Sequence, residues 1–163
     1  IKDAYLRLGW AYLLKGDHEK FSKCIYLVKS EGKAWSEEDK NALYEAVNFP
    51  SPLTNLLKAR LLFDGGYFTL SQQLLKNINY QELKSEKLKA EYYYRMGRIN
   101  DALKQLNAAL VSYKKVISVF PSKGDYFAPA SAYYCGIIYE GKKEFQNAKK
   151  YFTFSYACFC KCK

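Results

Sequence analysis

The residues with the most obvious chemical potential lie near the end of the chain, where Cys158-Phe159-Cys160-Lys161-Cys162 sets three thiols at alternate positions. Thiolates are the ligands of soft metal ions. The spacing is not that of a zinc knuckle, though, and cysteines two apart lie on opposite sides of a helix with no fourth ligand in view. Cys24 and Cys135 sit inside apolar helical patterns, where a free cysteine packs as a small core residue. An odd number of cysteines without regular spacing does not describe a disulfide scaffold. His18 is the one histidine, placed in the polar turn Gly16-Asp17-His18-Glu19, and nothing is spaced to join it as a metal ligand or as a partner in a triad. The acids Glu37-Glu38-Asp39 follow Ser36, and acidic residues are expected in a first helical turn from the helix dipole alone. No phosphate loop, dinucleotide turn or nucleophile elbow occurs. The sequence therefore predicts no catalytic residue, no metal and no cofactor.

The remaining chemistry is recognition. Arg60, Arg95 and Arg98 occur close in pattern to Tyr93, Tyr94, Tyr133 and Tyr134, and arginine and tyrosine are the types enriched where binding energy concentrates. The chain carries a net charge of +10, from 26 Lys+Arg against 16 Asp+Glu. Residues 1–50 hold eight basic and eight acidic residues, so the whole surplus lies in 51–163. A basic surface there would attract acidic proteins, anionic lipid heads or nucleic acid. The lysines never form a block of five or six, which also fits a solvated helical exterior.

Positioning these residues requires helices. Apolar residues recur at three- and four-residue spacing throughout, and no stretch alternates long enough for a strand. Hydrophobic residues make up 49% of the chain and charged residues 26%, as in globular proteins. No apolar run is long enough to span a bilayer. With 163 residues and no initiator methionine before Ile1, the chain reads as one domain and as a piece of something longer.

The helices repeat. Tyr5-Leu6-Arg7-Leu8-Gly9-Trp10-Ala11-Tyr12, Tyr93-Tyr94-Arg95-Met96-Gly97 and Ala132-Tyr133-Tyr134-Cys135-Gly136 each carry an apolar residue followed by glycine. Twelve residues after each glycine stand Phe21, Ala109 and Ala148, and four further on stand Ile25, Tyr113 and Phe152. A weaker copy has Ala59 as its small residue, Gly65-Gly66-Tyr67 as its turn, and Ser71 and Leu75 beyond. The small residue lets the second helix of a pair approach closely, with Phe21 or Ala109 expected opposite it. Lys15-Gly16-Asp17 and Gly65-Gly66 supply the turns. The copies begin about 50, 38 and 39 residues apart. The longest insertion contains Ser36-Glu37-Glu38-Asp39, a capping box opening an extra helix over about 36–47. Phe49-Pro50-Ser51-Pro52 then ends that helix, and Ser122-Lys123-Gly124-Asp125-Tyr126 is a loop. Met96 to Leu103 could form a turn and a new helix, but continuing the first helix aligns Ala109, Tyr113 and Pro121.

This pattern of an aromatic residue, a small residue after an apolar one, a glycine-containing turn and a closing Pro121 resembles the tetratricopeptide repeat family. The resemblance implies an all-α fold, a right-handed superhelical solenoid of helix-turn-helix repeats over about 2–31, 52–79, 86–121 and 129–157 within a single domain, 1–163. It implies a non-catalytic scaffold whose first helices line a concave groove for a protein or peptide segment. In that groove would lie Trp10, Leu13, Arg60, Phe63, Tyr94, Arg98, Tyr133 and Ile137. Leu6 and Trp10 stand where some relatives carry the lysine and asparagine that grip a terminal carboxylate, so no such clamp is expected. Leu61-Leu62-Phe63-Asp64-Gly65-Gly66-Tyr67 and Gly136-Ile137-Ile138-Tyr139-Glu140 are similar to segments of bacterial envelope-associated repeat proteins, which leans toward a bacterial envelope or periplasmic setting over a cytoplasmic one. Two rivals stand beside the peptide scaffold. In one, the basic half binds single-stranded nucleic acid through phosphate neutralisation and tyrosine stacking. In the other, the chain is a structural repeat segment of a larger protein.

Overall fold

The computed structural model describes residues 1–48, 54–120 and 126–160, the side chains of Phe159 and Cys160 excepted. The expected helix stop at Phe49-Pro50-Ser51-Pro52, the closing Pro121, the loop over 122–125, the side chain of Cys160 and the residues Lys161 and Cys162 lie outside what is described. Among the described residues the chain is all-helical, without a strand. Its α-helices are α1 (Lys2–Leu14), α2 (His18–Ser30), α3 (Glu37–Asn48), α4 (Thr54–Asp64), α5 (Phe68–Lys76), α6 (Glu86–Ala102), α7 (Leu106–Val119), α8 (Phe127–Gly141) and α9 (Phe145–Cys160), with a 3-10 turn at Tyr80–Glu82. The chain divides into two compact units, residues 1–58 and 59–163.

In the first unit α1, α2 and α3 pack together. Leu6, Trp10 and Leu13 of α1, Phe21, Cys24, Ile25 and Val28 of α2, and Ala42 and Ala46 of α3 are buried. Fully burying a side chain of the Leu or Phe kind stabilises by about 1.5–3 kcal/mol. Polar groups close the helix ends. The Asp17 carboxylate accepts from the Lys20 amide at 3.0 Å and starts α2. At the other end of α2, the buried Lys2 ammonium donates to the carbonyls of Val28 at 2.6 Å and Glu31 at 2.8 Å, groups that a helix C-terminus leaves without partners. Only half of the expected capping box forms. The Asp39 amide donates to Ser36 Oγ at 3.2 Å, but the Asp39 carboxylate turns to α1 and accepts from the Asp3 amide at 3.0 Å. That hydrogen bond holds the Asp39 carboxyl below the usual carboxylate range.

In the second unit the core runs through Ala90, Tyr94, Ala109, Tyr113, Val116, Phe127, Cys135, Ile138 and Ala148. The stretch from Met96 to Ala102 stays within α6, because Ile99 is wholly buried and the helix continues to its close at Leu103. Gln72 of α5 donates to the side-chain oxygens of Asn100 at 2.9 Å and Gln105 at 3.1 Å. Pro129 fits the first turn of α8, where its missing N–H would have had no helical partner. Its carbonyl accepts from Ser155 Oγ at 2.9 Å.

Four helix pairs close through the same turn. The amides of Asp17, Tyr67, Gln105 and Glu144 donate to the carbonyls of Tyr12, Leu62, Asn100 and Tyr139, five residues back, at 2.8–2.9 Å. The preceding amides of Gly16, Gly66, Lys104 and Lys143 donate three residues back at 2.8–3.0 Å. This is the left-handed C-terminal closure of a helix, and its central residue needs positive φ. Gly16 and Gly66 have φ of 80° and 82°, and Lys104 and Lys143 have φ of 62° and 61°. The turn geometry is thus kept where the glycine is not.

The close approach expected at the small residues is present, with one correction. A Cβ on Gly97 would lie 2.5 Å from the Tyr113 ring, and one on Gly136 would lie 2.5 Å from the Phe152 ring. The covering residue in these copies is therefore sixteen positions on, not twelve, because Ala109 and Ala148 are too small to fill the space. At Gly9 the neighbours are Cys24 Cβ at 3.1 Å and the Phe21 ring at 3.5 Å. In the weaker copy Ser71 Oγ donates to the Ala59 carbonyl at 2.6 Å.

Candidate functional site

α6 carries two arginines in different surroundings. Arg95 is buried, and its guanidinium donates to Glu91 Oε1 at 3.2 Å and to the Tyr126 hydroxyl at 3.5 Å. Its charge is compensated inside the fold. Arg98, three residues on, is only half-buried and donates from Nη1 to the Tyr94 hydroxyl at 3.2 Å. Its guanidinium lies 4.4 Å from the Tyr134 ring centre and 5.1 Å from that of Phe63, within the range of cation–π attraction. Among the described residues no carboxylate forms an ion pair with Arg98. Asp101, one turn on, has its carboxyl pushed up by desolvation, against the lowering pull of Lys104 and Arg98.

The rings around Arg98 form a continuous network. Tyr94 meets Tyr113 at 6.4 Å, Phe127 at 5.4 Å and Tyr134 at 6.4 Å between ring centres. Tyr113 stacks on Tyr134 at 5.6 Å. Burial pushes the Tyr113 hydroxyl well above the ordinary tyrosine value, and among the described residues that hydroxyl has no hydrogen-bond partner. Tyr133 is 47% exposed and Ile137 41% exposed on α8, one turn apart and so on one face. Tyr133 contacts Tyr134 at 5.6 Å and Phe152 at 5.9 Å.

The expected groove residues thus divide. Phe63, Tyr94 and Arg98 are brought into one cluster, and Tyr133 joins it through Tyr134. Arg60 is half-buried, and its charge reaches the Tyr126 hydroxyl. Trp10 and Leu13 are buried in the core of the first unit, and Tyr94 in that of the second, so none of these three offers a free face. Tyr113 and Tyr134 were not among the expected groove residues. Tyr134 is half of a Tyr-Tyr pair whose two rings must point differently. Tyr113 sits on a second helix, and its role follows from the glycine opposite it.

Among the described residues no cluster of three or more His, Cys, Asp or Glu could hold a metal ion. Cys158 is half-buried and free, while burial pushes the Cys135 thiol up to about 12 and keeps it protonated at neutral pH. No helix among the described residues is long and apolar enough to cross a membrane.

The tetratricopeptide repeat family model matches residues 2–28 and 90–123. The first match covers nearly all of the α1–α2 pair, and the second covers most of α6 and all of α7. No curated protein and no solved structure gives a significant match to the chain. Repeats of this family generally mediate protein–protein interaction. The two matched segments, set among all-helical pairs that close through one kind of turn, are tetratricopeptide repeats.

Proposed function

We propose that the second unit is a non-catalytic module that binds an acidic protein segment on the surface formed by Arg98, Tyr133 and Ile137. The observation that carries this reading is the state of Arg98. Its guanidinium is held by two rings and one neutral hydroxyl, with no ion-paired carboxylate among the described residues. A partner carboxylate would meet a charge whose side-chain freedom is already restricted, which lowers the ordering cost of binding. Tyr133 and Ile137 supply exposed apolar area on one face of α8, and Tyr133 meets Tyr134, the ring on which the Arg98 guanidinium rests. Tyr94 acts as a support that fixes Arg98, not as a contact.

Selection of displayed random peptides against the wild-type chain tests the reading. Enriched peptides are expected to share an acidic residue, and Arg98→Ala is expected to weaken them by about 1–2 kcal/mol, roughly ten-fold. Tyr133→Ala is expected to weaken them less. Equal affinity for wild type and Arg98→Ala would remove the basis of the proposal. Preferential capture of single-stranded nucleic acid, lost steeply with added salt, would favour the polyanion reading instead.

A further inference from the structure

A second surface of the same unit lies between α7 and α9. There a cleft of about 600 Å³ is bordered by Lys114 and Lys115 on α7 and Lys150 on α9, with Tyr93, Tyr151 and Phe154 among its apolar lining. Val111, Lys114, Lys115 and Ser118 all line it, at spacings of three, four and seven that make one stripe along α7. Two helical turns give the groove a length of about 10 Å. No acidic residue is among the lining residues. Among the described residues none of the three lysines is ion-paired, and the Lys114 ammonium rests 5.2 Å from the Tyr139 ring centre. Val111 is 70% exposed at the edge. The groove therefore joins an apolar floor to an uncompensated cationic rim on both walls.

We propose that this cleft docks an acidic amphipathic helix of a protein partner. The floor takes an apolar i, i+3/i+4, i+7 face, and the lysines meet acidic residues flanking that face. Charge complementarity selects the partner, since the surplus of basic residues lies wholly in 51–163 and a basic or neutral helix would leave the rim uncompensated. The groove shares no residue with the Arg98 cluster and stands or falls separately from it.

The test uses the whole isotope-labelled chain and a synthetic helix of about five turns, with a leucine stripe flanked by glutamates. The same helix with lysines in place of the glutamates is the control. Saturable amide shifts are expected over residues 111–118 and 150–154 with the acidic helix alone. Lys115→Glu/Lys150→Glu should weaken binding about ten-fold, and Lys115→Gln/Lys150→Gln about three-fold. Both lysines are exposed, so the neutral pair separates lost attraction from lost fold. Arg98→Ala should leave this binding unchanged. The proposal is overturned if the acidic helix does not bind, if its shifts fall elsewhere, if the lysine helix binds as well, or if the double variants bind undiminished. It is also overturned if oleate or an oligothymidylate produces the shifts and the helix does not.

Discussion

Replacing Gly97 by alanine puts the packing of the second unit under direct test. The added Cβ would lie 2.5, 2.6 and 3.0 Å from three atoms of the Tyr113 ring, where carbon atoms rest at about 3.5–4.0 Å. Something must move by about 1 Å. The ring cannot swing freely, because it is wholly buried and stacked against Tyr134. Overpacking of this kind costs about 1–3 kcal/mol, and a gap closed by a full ångström belongs at the upper end. Alanine recovers about 1 kcal/mol of helix propensity over glycine. The net loss is about 2 kcal/mol, or roughly 4–8 °C in Tm for a chain of this size. Gly141 is the internal control, since a Cβ there would meet nothing within 4 Å, and Gly141→Ala should raise stability by about 0.5–1 kcal/mol. Gly136→Ala should match Gly97→Ala, and Gly9→Ala, whose tightest contact is 3.1 Å, should fall between the extremes. Urea unfolding followed by helical circular dichroism gives the order. If Gly97→Ala is as stable as Gly141→Ala, the account of these pairs is wrong.

Two further outcomes follow from the same turns and core. Lys104→Gly and Lys143→Gly should each raise stability by about 0.5–1 kcal/mol, because a left-handed backbone costs a residue with a Cβ about 1–2 kcal/mol and glycine's extra chain entropy returns part of that; a shift in the urea midpoint at constant slope reads this out. Gly16→Ala should lower stability by about 1 kcal/mol through the backbone alone, since a Cβ there meets no atom within 4 Å. Tyr113→Phe should leave stability unchanged or raise it by up to about 1 kcal/mol, because it removes a buried hydroxyl without a partner among the described residues. A loss above 2 kcal/mol in a thermal melt would mean that the hydroxyl is satisfied in solution.

The helix pairs were legible because their signals are local. Gly9, Gly97 and Gly136 mark a close approach whatever surrounds the pair, and Gly16 and Gly66 mark a backbone that other residues avoid. Lys104 and Lys143 carry no such mark, although their turns close identically, because lysine adopts positive φ only when the hydrogen bonds around it demand it. The covering residue was misplaced by one turn for a related reason. Spacing puts Ala109 and Tyr113 on one face, but only side-chain volume decides which of them fills the gap. The groove residues were the least legible. A first helix flanked on both sides has more than one apolar face, so Trp10, Leu13 and Tyr94 match the pattern for a binding surface while burial places them in the core.

The contacts that close each pair also bear on how fast the chain reaches its fold. Ala59 meets Ser71 and Gly97 meets Tyr113 across only twelve and sixteen residues of chain, and the turn between each pair spans three residues. Little loop entropy is lost before such a contact forms. Chains dominated by contacts of this range fold in microseconds to milliseconds, with each pair able to close before its neighbour is in place. The glycine contact is therefore a kinetic element as well as a packing one. Gly97→Ala should slow the refolding limb of the second unit, whereas changes at the exposed Lys115 and Lys150 should leave that limb where it was.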